Sequence, residues 1–593
     1  MVTMKEVTYN DRTDSFEEKM RLLNEAWRKG DYRLARALTN SLRNTAIQAQ
    51  QEKESLGQPV AAPGALQPVA ALPAPWREWA KGWSHCLSIA TDETVGSSRP
   101  PEPLEFVLNV PAALCNSLQR EVRVARVENG TLREIPSQVH LEVRRGSERH
   151  ARLLLLAGSP AHTRTHYIVF VGNPEAELPQ YPSDLETHGE GFALDIENDF
   201  FRASLSRQMG QLERLTFKRE HGLELFAGGE GHGEPPGIDW AHDYVGSGNF
   251  QKLRVTLWDT CPDYEVVRGP LCTSIRRWGF PYSPVHPVFS PSRIHVDVEY
   301  RFYAGLPWFH KIGRMEAIKS LEADALRDDE WVFSGQSFTE QVWMGPDGKL
   351  RLGPVDPALR ENLWAVGFIN PKAEDAFIAL YLDHRAENLP SIRHGGSPLM
   401  FYKWHGHCWS RYPLPGKEVP AGAVLHQKNA YLALHYTAKG AELVETMRHR
   451  LVNPLVVSAA TLPSNLSPVQ PAGRLARPGE AGDSPISKAD IWNALRDCKD
   501  EQLYAAKTNV VDLGLIYDVR VRGDAVHLIM AMPHRGRPRI GFFTYGSGGN
   551  NTAIRQRLMK VPGVRRVVVE QTWEPHWSSN RLTDEGRRSL GLA

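Results

Sequence analysis

From Trp83 to about residue 440 the apolar and polar positions alternate in steps of two, and almost no segment sustains the 3.6-residue spacing of a helix. Helical spacing appears at the start of the chain. Over 15–29, Phe16, Met20, Leu23 and Trp27 fall on one stripe, Ser15 and Glu18 have capping-box spacing, and Gly30 stops the run. Asp31 opens a second helix with Leu34, Leu38 and Leu42 on one face, running to about Glu54. Such a helical hairpin is too small to fold alone, so it must pack on the body or on another subunit.

The pattern predicts a mainly β protein in six segments. Residues 1–56 form the helical hairpin arm, and the Pro/Ala-rich stretch 57–76 reads as a semi-rigid linker. Residues 77–185 hold short β-rich runs broken by turn residues, a small β domain in which Asn129-Gly130 turns a hairpin. Residues 186–461 continue in strands, as in a large antiparallel β-supersandwich. Within it LPWFHKIGRMEA (306–317) alternates His310, Lys311 and Arg314 with apolar residues, as on a strand with one wet face, and Asp328, Asp329 and Glu330 read as a turn. Glu330 beside Trp331 suits the wall of a sugar pocket. A Pro/Gly/Ser-rich linker (462–486) leads to a small α+β domain, 487–593.

Two resemblances attach to this division. The run FALDIENDFFRASLSRQMGQLERLTFKREHGLELF (192–226) resembles the galactose-mutarotase-like supersandwich of carbohydrate-active enzymes. REIPSQVHLEV (133–143), with Pro136 and Gln138, looks like the small β domain that precedes that sandwich in some polysaccharide lyases, although the helical toroid of those lyases has no counterpart here. The closing segment resembles the iron–sulfur-assembly fold of the SufT and PaaD type. It does so through IWNALRDCKDEQL (491–503), NVVDLGLIYDVRV (509–521), VHLIMAM (526–532), PGVRRVVVEQTWEPHW (562–577) and LTDEGRRSLGL (582–592). Members that handle clusters or metals carry P-G-C-P after the central strand, whereas this chain has Arg535-Gly536-Arg537-Pro538. Arginine stays cationic and cannot replace a thiolate ligand, so no iron–sulfur cluster is expected. Cys498 reads as a buried apolar thiol.

Charge removes one class of function. Lys and Arg total 70 against 69 for Asp and Glu, so the basic surplus expected of a nucleic-acid binder is missing. The six cysteines have no CxxC spacing and read as reduced thiols of a cytoplasmic protein. No long apolar run predicts a membrane span. No dinucleotide fingerprint, P-loop, nucleophile elbow or H-E-x-x-H is present, so no nucleotide cofactor is expected.

Candidate chemistry lies in YKWHGHCWSRYPLPGK (402–417). His405 and His407 share a face if this segment is a strand; with His426 they have the makings of a site for one divalent zinc, manganese or iron. Without metal the same histidines suit acid and base roles, with Arg411 and Tyr412 holding a developing negative charge. The loop GHGEPPGIDWAHDYVG (231–246) would contribute His242 and Asp239 from the facing side. The bland alternative is that these are core aromatics with histidines bonded to backbone at a sheet edge.

Two functions follow. One is a lyase- or hydrolase-type enzyme acting on a polyhydroxylated or carboxylate-bearing small substrate in the supersandwich cleft. The other is a non-catalytic accessory subunit of an oxygenase or iron–sulfur system. Either way the helical arm and the closing domain are assembly elements, of a homo-oligomer or a larger complex.

Overall fold

The computed structural model describes residues 12–32, 34–36, 38–39, 42, 64–206, 210–219, 222–226, 241–244, 254–258, 262–282, 294–322, 325–327, 329–333, 338–359, 362–389, 407–411, 418–461, 486–498, 508–522, 524–531, 554–572 and 582–590. The chain divides into two compact units: a body of Met1–Glu186 with Ile196–Ala476, and a closing unit of Thr187–Asp195 with Arg477–Ala593. The architecture is mainly β. Among the described residues no helix is long and apolar enough to cross a membrane.

The first helix of the arm starts earlier than its spacing predicts, at Arg12, which puts Ser15 inside the helix and not at a cap. The second helix is described only as far as residue 42, and its expected run to Glu54 lies outside the described residues. Helix Arg12–Arg28 ends at Gly30, whose φ of +70° favours a residue without Cβ, and the Asp31 carboxylate accepts the Leu34 N–H at 3.0 Å to start the next turn. Ala26, Ala35 and Leu38 are buried together with Leu22, Leu23 and Leu34 beside them. Met20, Trp27 and Tyr32 stay exposed.

The small β domain is two facing sheets over one core. Strands Gln67–Pro68, His85–Asp92, Arg164–Val171, Val122–Glu128 and Thr131–Ile135 run side by side, and Arg99–Pro111, Glu148–Ser159 and Ser137–Arg145 form the opposing sheet. Leu104, Phe106, Leu108, Leu153, Leu155, Val169 and Val171 fill the space between. Asn129 and Gly130 take φ of +49° and +78°, the left-handed pair that closes the hairpin at Glu128 and Thr131. Strand Val457–Ala459 returns to pair antiparallel with His85–Asp92, so the end of the sandwich segment belongs to this sheet.

The linker expected over 57–76 is corrected in its second half. Residues 67–79 fold as a short strand, a 3-10 turn and helix Ala74–Trp79, with Val69, Leu72, Trp76 and Trp79 in the core. Trp76 is 1% exposed, and its Nε1–H donates to Gly130 O at 2.9 Å. Composition resembled a linker because prolines start the helix at Pro73 and Pro75, where their missing N–H costs nothing.

Nine antiparallel strands form the main sheet, in the order Asp263–Val267, Cys272–Gly279, Ile294–Tyr303, Trp308–Ala317, Val424–His435, Asp375–Glu387, Ala365–Asn370, Glu340–Met344 and Leu350–Leu352. One face packs Ile378, Leu380, Leu432, Leu434, Val342 and Met344 against Val444 and Met447 of helix Gly440–Val452. The other carries an aromatic layer. Phe302 and Phe309 stack at 4.7 Å, Phe309 and Tyr431 at 5.4 Å, and Phe201 of the neighbouring meander lies 6.1 Å from Phe309. That meander, Phe201–Leu205, Leu212–Phe217 and Glu224–Phe226, is antiparallel, with Gly210 at φ +69° in its first turn. Gln138 joins the small domain to the sheet: its Oε1 accepts the N–H groups of Leu271 and Cys272, and its Nε2 donates to Cys272 O.

Two expectations for this region change. Strand Trp308–Ala317 keeps a half-buried face at Ile312, Arg314 and Glu316, but His310 and Lys311 point to opposite sides and both are buried. Asp329 opens a strand, Asp329–Phe333, paired with His407–Arg411, where a turn was expected. Burial on both faces removes the alternation from which exposure is read.

The closing unit is α+β. Ser487 Oγ accepts the Ala489 N–H at 3.1 Å and caps helix Lys488–Arg496. Strands Ile516–Arg522 and Ala525–Ala531 pair antiparallel, and Arg566–Thr572 joins the second in parallel after helix Ile554–Leu558. Ile491, Leu495, Val510, Leu528, Ile554 and Leu558 make its core, together with Cys498. Burial pushes the Cys498 thiol up to about 12, and its Sγ–H donates to Ala494 O, which agrees with an apolar packing role. Arg535 and Arg537 lie outside the described residues.

Candidate functional site

Five separate stretches of the body bring polar side chains to one place in the aromatic layer of the nine-stranded sheet. Lys311 lies across from Asn429, and Asn429 across from Tyr381, in register on adjacent strands. Asp329 reaches in from its own short strand. Its Oδ1 accepts Lys311 Nζ at 3.0 Å, its Oδ2 accepts Asn429 Nδ2 at 3.1 Å, and Tyr431 OH donates to the carboxylate at 2.7 Å. His384 Nε2 lies 2.8 Å from Asn429 Oδ1. Lys311 and Asn429 are 0% exposed and Asp329 2%.

A β-bulge brings His384 to this face. The register between strands 375–387 and 424–435 shifts between Tyr381 and Asp383, so that His384 pairs with Gln427 while Tyr381 pairs with Asn429. Without the extra residue the even-numbered His384 would point away from Tyr381. Gln427 sits beside these groups, 2% exposed, and neither its Nε2 nor its Oε1 has a hydrogen-bond partner among the described residues. Burial, and then the negative charge of Asp329, raise the Tyr431 pKa well above that of a free phenol, so this hydroxyl keeps its proton and is a donor at neutral pH.

Of the residues singled out in the sequence, Arg411 joins this cluster. It is 1% exposed, lies across from Asp329 in register, and places its guanidinium carbon 5.3 Å from the Tyr381 ring centroid. His426 goes elsewhere: as the even neighbour of Gln427 it lies on the other face, across from Arg314 and Arg385, with Nε2 3.1 Å from Glu387 Oε1. Burial lowers its pKa, with Glu387 opposing. The structure thus does not bring His426 together with Arg411. His405, Tyr412 and Asp239 lie outside the described residues, and His407 and His242 are described only as backbone, in strands His407–Arg411 and Ala241–Tyr244. Asp329, His384, Gln427, Asn429 and Tyr431 were missed. Their signal in the sequence is the run of Gln427, Asn429 and Tyr431 at alternate positions of strand Val424–His435, between Leu425 and Ala433 on the same face, with His426 and Lys428 making the opposite face polar too.

No family model matches the chain. An Fe-S protein maturation auxiliary factor of Porphyromonas gingivalis is 30% identical over 107 residues, which is 18% of this chain and 92% of that protein. Through its C-terminal domain the chain belongs to the Fe-S protein maturation auxiliary factor family. The maturation-factor domain is also similar to YitW of Bacillus subtilis, a protein of the same description, at 26% identity over 106 residues and 94% of its length. For the body, a crystal structure of a putative aldose 1-epimerase from Klebsiella pneumoniae covers 44% of this chain and 83% of its own, at 11% identity and a TM-score of 0.28.

Proposed function

We propose that the body is an enzyme acting on a small polyhydroxylated or carboxylate-bearing substrate, with its polar centre at Lys311, Asp329, His384, Gln427 and Tyr431. The observation that carries this reading is the Gln427 amide, buried with both polar atoms unpartnered among the described residues. An unsatisfied buried polar group costs about 1–3 kcal/mol, which a purely structural position would shed by becoming apolar. A bound hydroxyl and carbonyl satisfy both ends of that amide. Tyr431 supplies a protonated hydroxyl held by Asp329, His384 an imidazole held by Asn429, and Lys311 and Arg411 positive charge for a developing anion. Lyase- or hydrolase-type proton transfer fits this set. A divalent metal on His405 and His407 belongs to the same proposal and is tested by elemental analysis of the chain beside H405A/H407A.

The test is turnover of a panel of neutral hexoses, uronates and uronate oligomers followed by proton NMR, with wild type, Y431F and Q427L. Turnover by wild type that Y431F abolishes supports the proposal. A Q427L variant that is more stable than wild type and equally active would show the centre to be scaffold.

The maturation-factor domain favours a second reading, in which the chain is an accessory subunit of an iron–sulfur system and the body its interaction platform. Co-purification of the full chain with a cluster protein, unaffected by Y431F and lost without residues 487–593, would support it. The helical arm and this domain are the proposed contacts to further subunits.

A further inference from the structure

The body carries a cavity of about 400 Å³, lined by polar and apolar residues, away from the centre around Asp329. It lies between helix Gly440–Val452, the turn 345–349 and the segment 95–97 that follows strand His85–Asp92. Glu445, Arg448, His449 and Val452 face it from the helix, at the i, i+3, i+4, i+7 spacing of one side. Val444 and Met447, on the other side, are in the core, so the cavity wall is fixed by packing.

The charges of this wall do not cancel. Glu445 is neutralised by Lys349 Nζ at 2.9 Å and also accepts the Leu350 N–H at 2.9 Å. Asp347 is neutralised by Arg351 at 2.5 Å. The neighbouring arginines are matched as well, Arg450 to Glu102 at 2.8 Å and Arg99 to Glu93 and Glu102. Arg448 is the exception. Its guanidinium lies over the Trp364 ring, 4.9 Å from the centroid, Nε is buried with no hydrogen-bond partner, and no carboxylate pairs with it among the described residues. Burial alone lowers its pKa, with no anion to offset the cost.

We propose that this cavity binds a small hydroxylated organic anion, its carboxylate or phosphate on Arg448 and its hydroxyls on the carboxylates of Glu445 and Asp347. A guanidinium held over an indole ring is restrained in position, and its planar N–H fork suits bidentate recognition of an oxyanion. The two acids, already paired with cations, retain lone pairs for hydroxyl donors. The volume matches a ligand of monosaccharide size.

The test is calorimetric titration of the full chain with galacturonate, galactose 1-phosphate, inorganic phosphate and neutral galactose. One of the two hydroxylated anions is expected to bind, weakening as salt is added, while galactose does not. Which of the two binds identifies the anion as carboxylate or phosphate. R448Q is expected to weaken binding about tenfold or more, from the loss of charge-assisted hydrogen bonds. T446E adds a negative charge at an exposed helix position lining the cavity and is expected to abolish binding even if R448Q fails to fold. Y431F leaves binding unchanged, so this site and the proposed reaction centre fail or stand separately. Absence of binding by either hydroxylated anion, equal binding of galactose, or wild-type affinity in R448Q or T446E overturns the proposal, and binding of inorganic phosphate alone reduces the site to an adventitious ion only.

Discussion

Asp329→Leu removes the acceptor shared by three donors, Lys311, Asn429 and Tyr431, at a position 2% exposed. Breaking a buried ion pair by deleting one partner costs about 3–5 kcal/mol, because the remaining charge stays in the interior. Lys311→Met is the milder change, since the Asp329 carboxylate keeps Tyr431 at 2.7 Å and Asn429 at 3.1 Å. About 1–3 kcal/mol is expected there, the range for a group that loses part of its hydrogen bonding. The double variant K311M/D329L removes both charges and is expected to recover about 1–4 kcal/mol relative to D329L, as apolar replacements of buried pairs do. A chain of two units has no single unfolding free energy, so the assay is native-state hydrogen exchange read on peptides from strands 308–317 and 424–435. At tenfold per 1.4 kcal/mol, D329L should speed exchange there by about two to three and a half powers of ten and leave the closing unit unchanged. Exchange in D329L at the wild-type rate, or a double variant that loses the sum of both single losses, would refute the buried pair and the site built on it.

Three further outcomes follow from the geometry. Trp76→Ala should destabilise the small β domain by about 3–5 kcal/mol, seen as a lowered urea midpoint, whereas a true linker residue would change nothing. Glu93 accepts the His162 N–H at 3.0 Å and also the N–H groups of Val95 and Gly96, which hold its pKa down to about 2. A depressed folded pKa means its stabilisation is fully present above the ordinary carboxylate range and is lost as pH falls towards 2; E93Q should therefore flatten the acid limb of stability against pH. Gly586→Ala places a Cβ 2.1 Å from Asp512 O, so helix Asp584–Ser589 must shift, at about 1–3 kcal/mol, with exchange rising in the closing unit only.

The proposed reaction centre and the anion cavity share a physical origin. In both, side chains from distant segments are held by rigid strands or a packed helix, and one polar group has an atom without a hydrogen-bond partner among the described residues. Gln427 and Arg448 are those groups. Each carries a cost that a bound molecule would remove.

Local pattern determined the elements whose signal is local. The Asn129-Gly130 turn, the Asp31 helix start and the two-residue alternation of the small domain needed only neighbours within a few residues, and the chain alone was enough to read them. The order of motifs in the closing segment likewise carried its family. Exposure was not local. Lys311 looked like a wet-face residue until Asp329, eighteen positions away in sequence, closed over it. Trp76 looked like part of a linker until Gly130 accepted its N–H. His384 acquired its role from a one-residue bulge, which reverses face parity and leaves no mark in composition or spacing. The sequence by itself set which segments are strands, because pleat and periodicity are properties of the chain; only the tertiary structure decided which polar residues meet in the interior, because register, bulges and sheet packing bring together positions that no sequence interval relates.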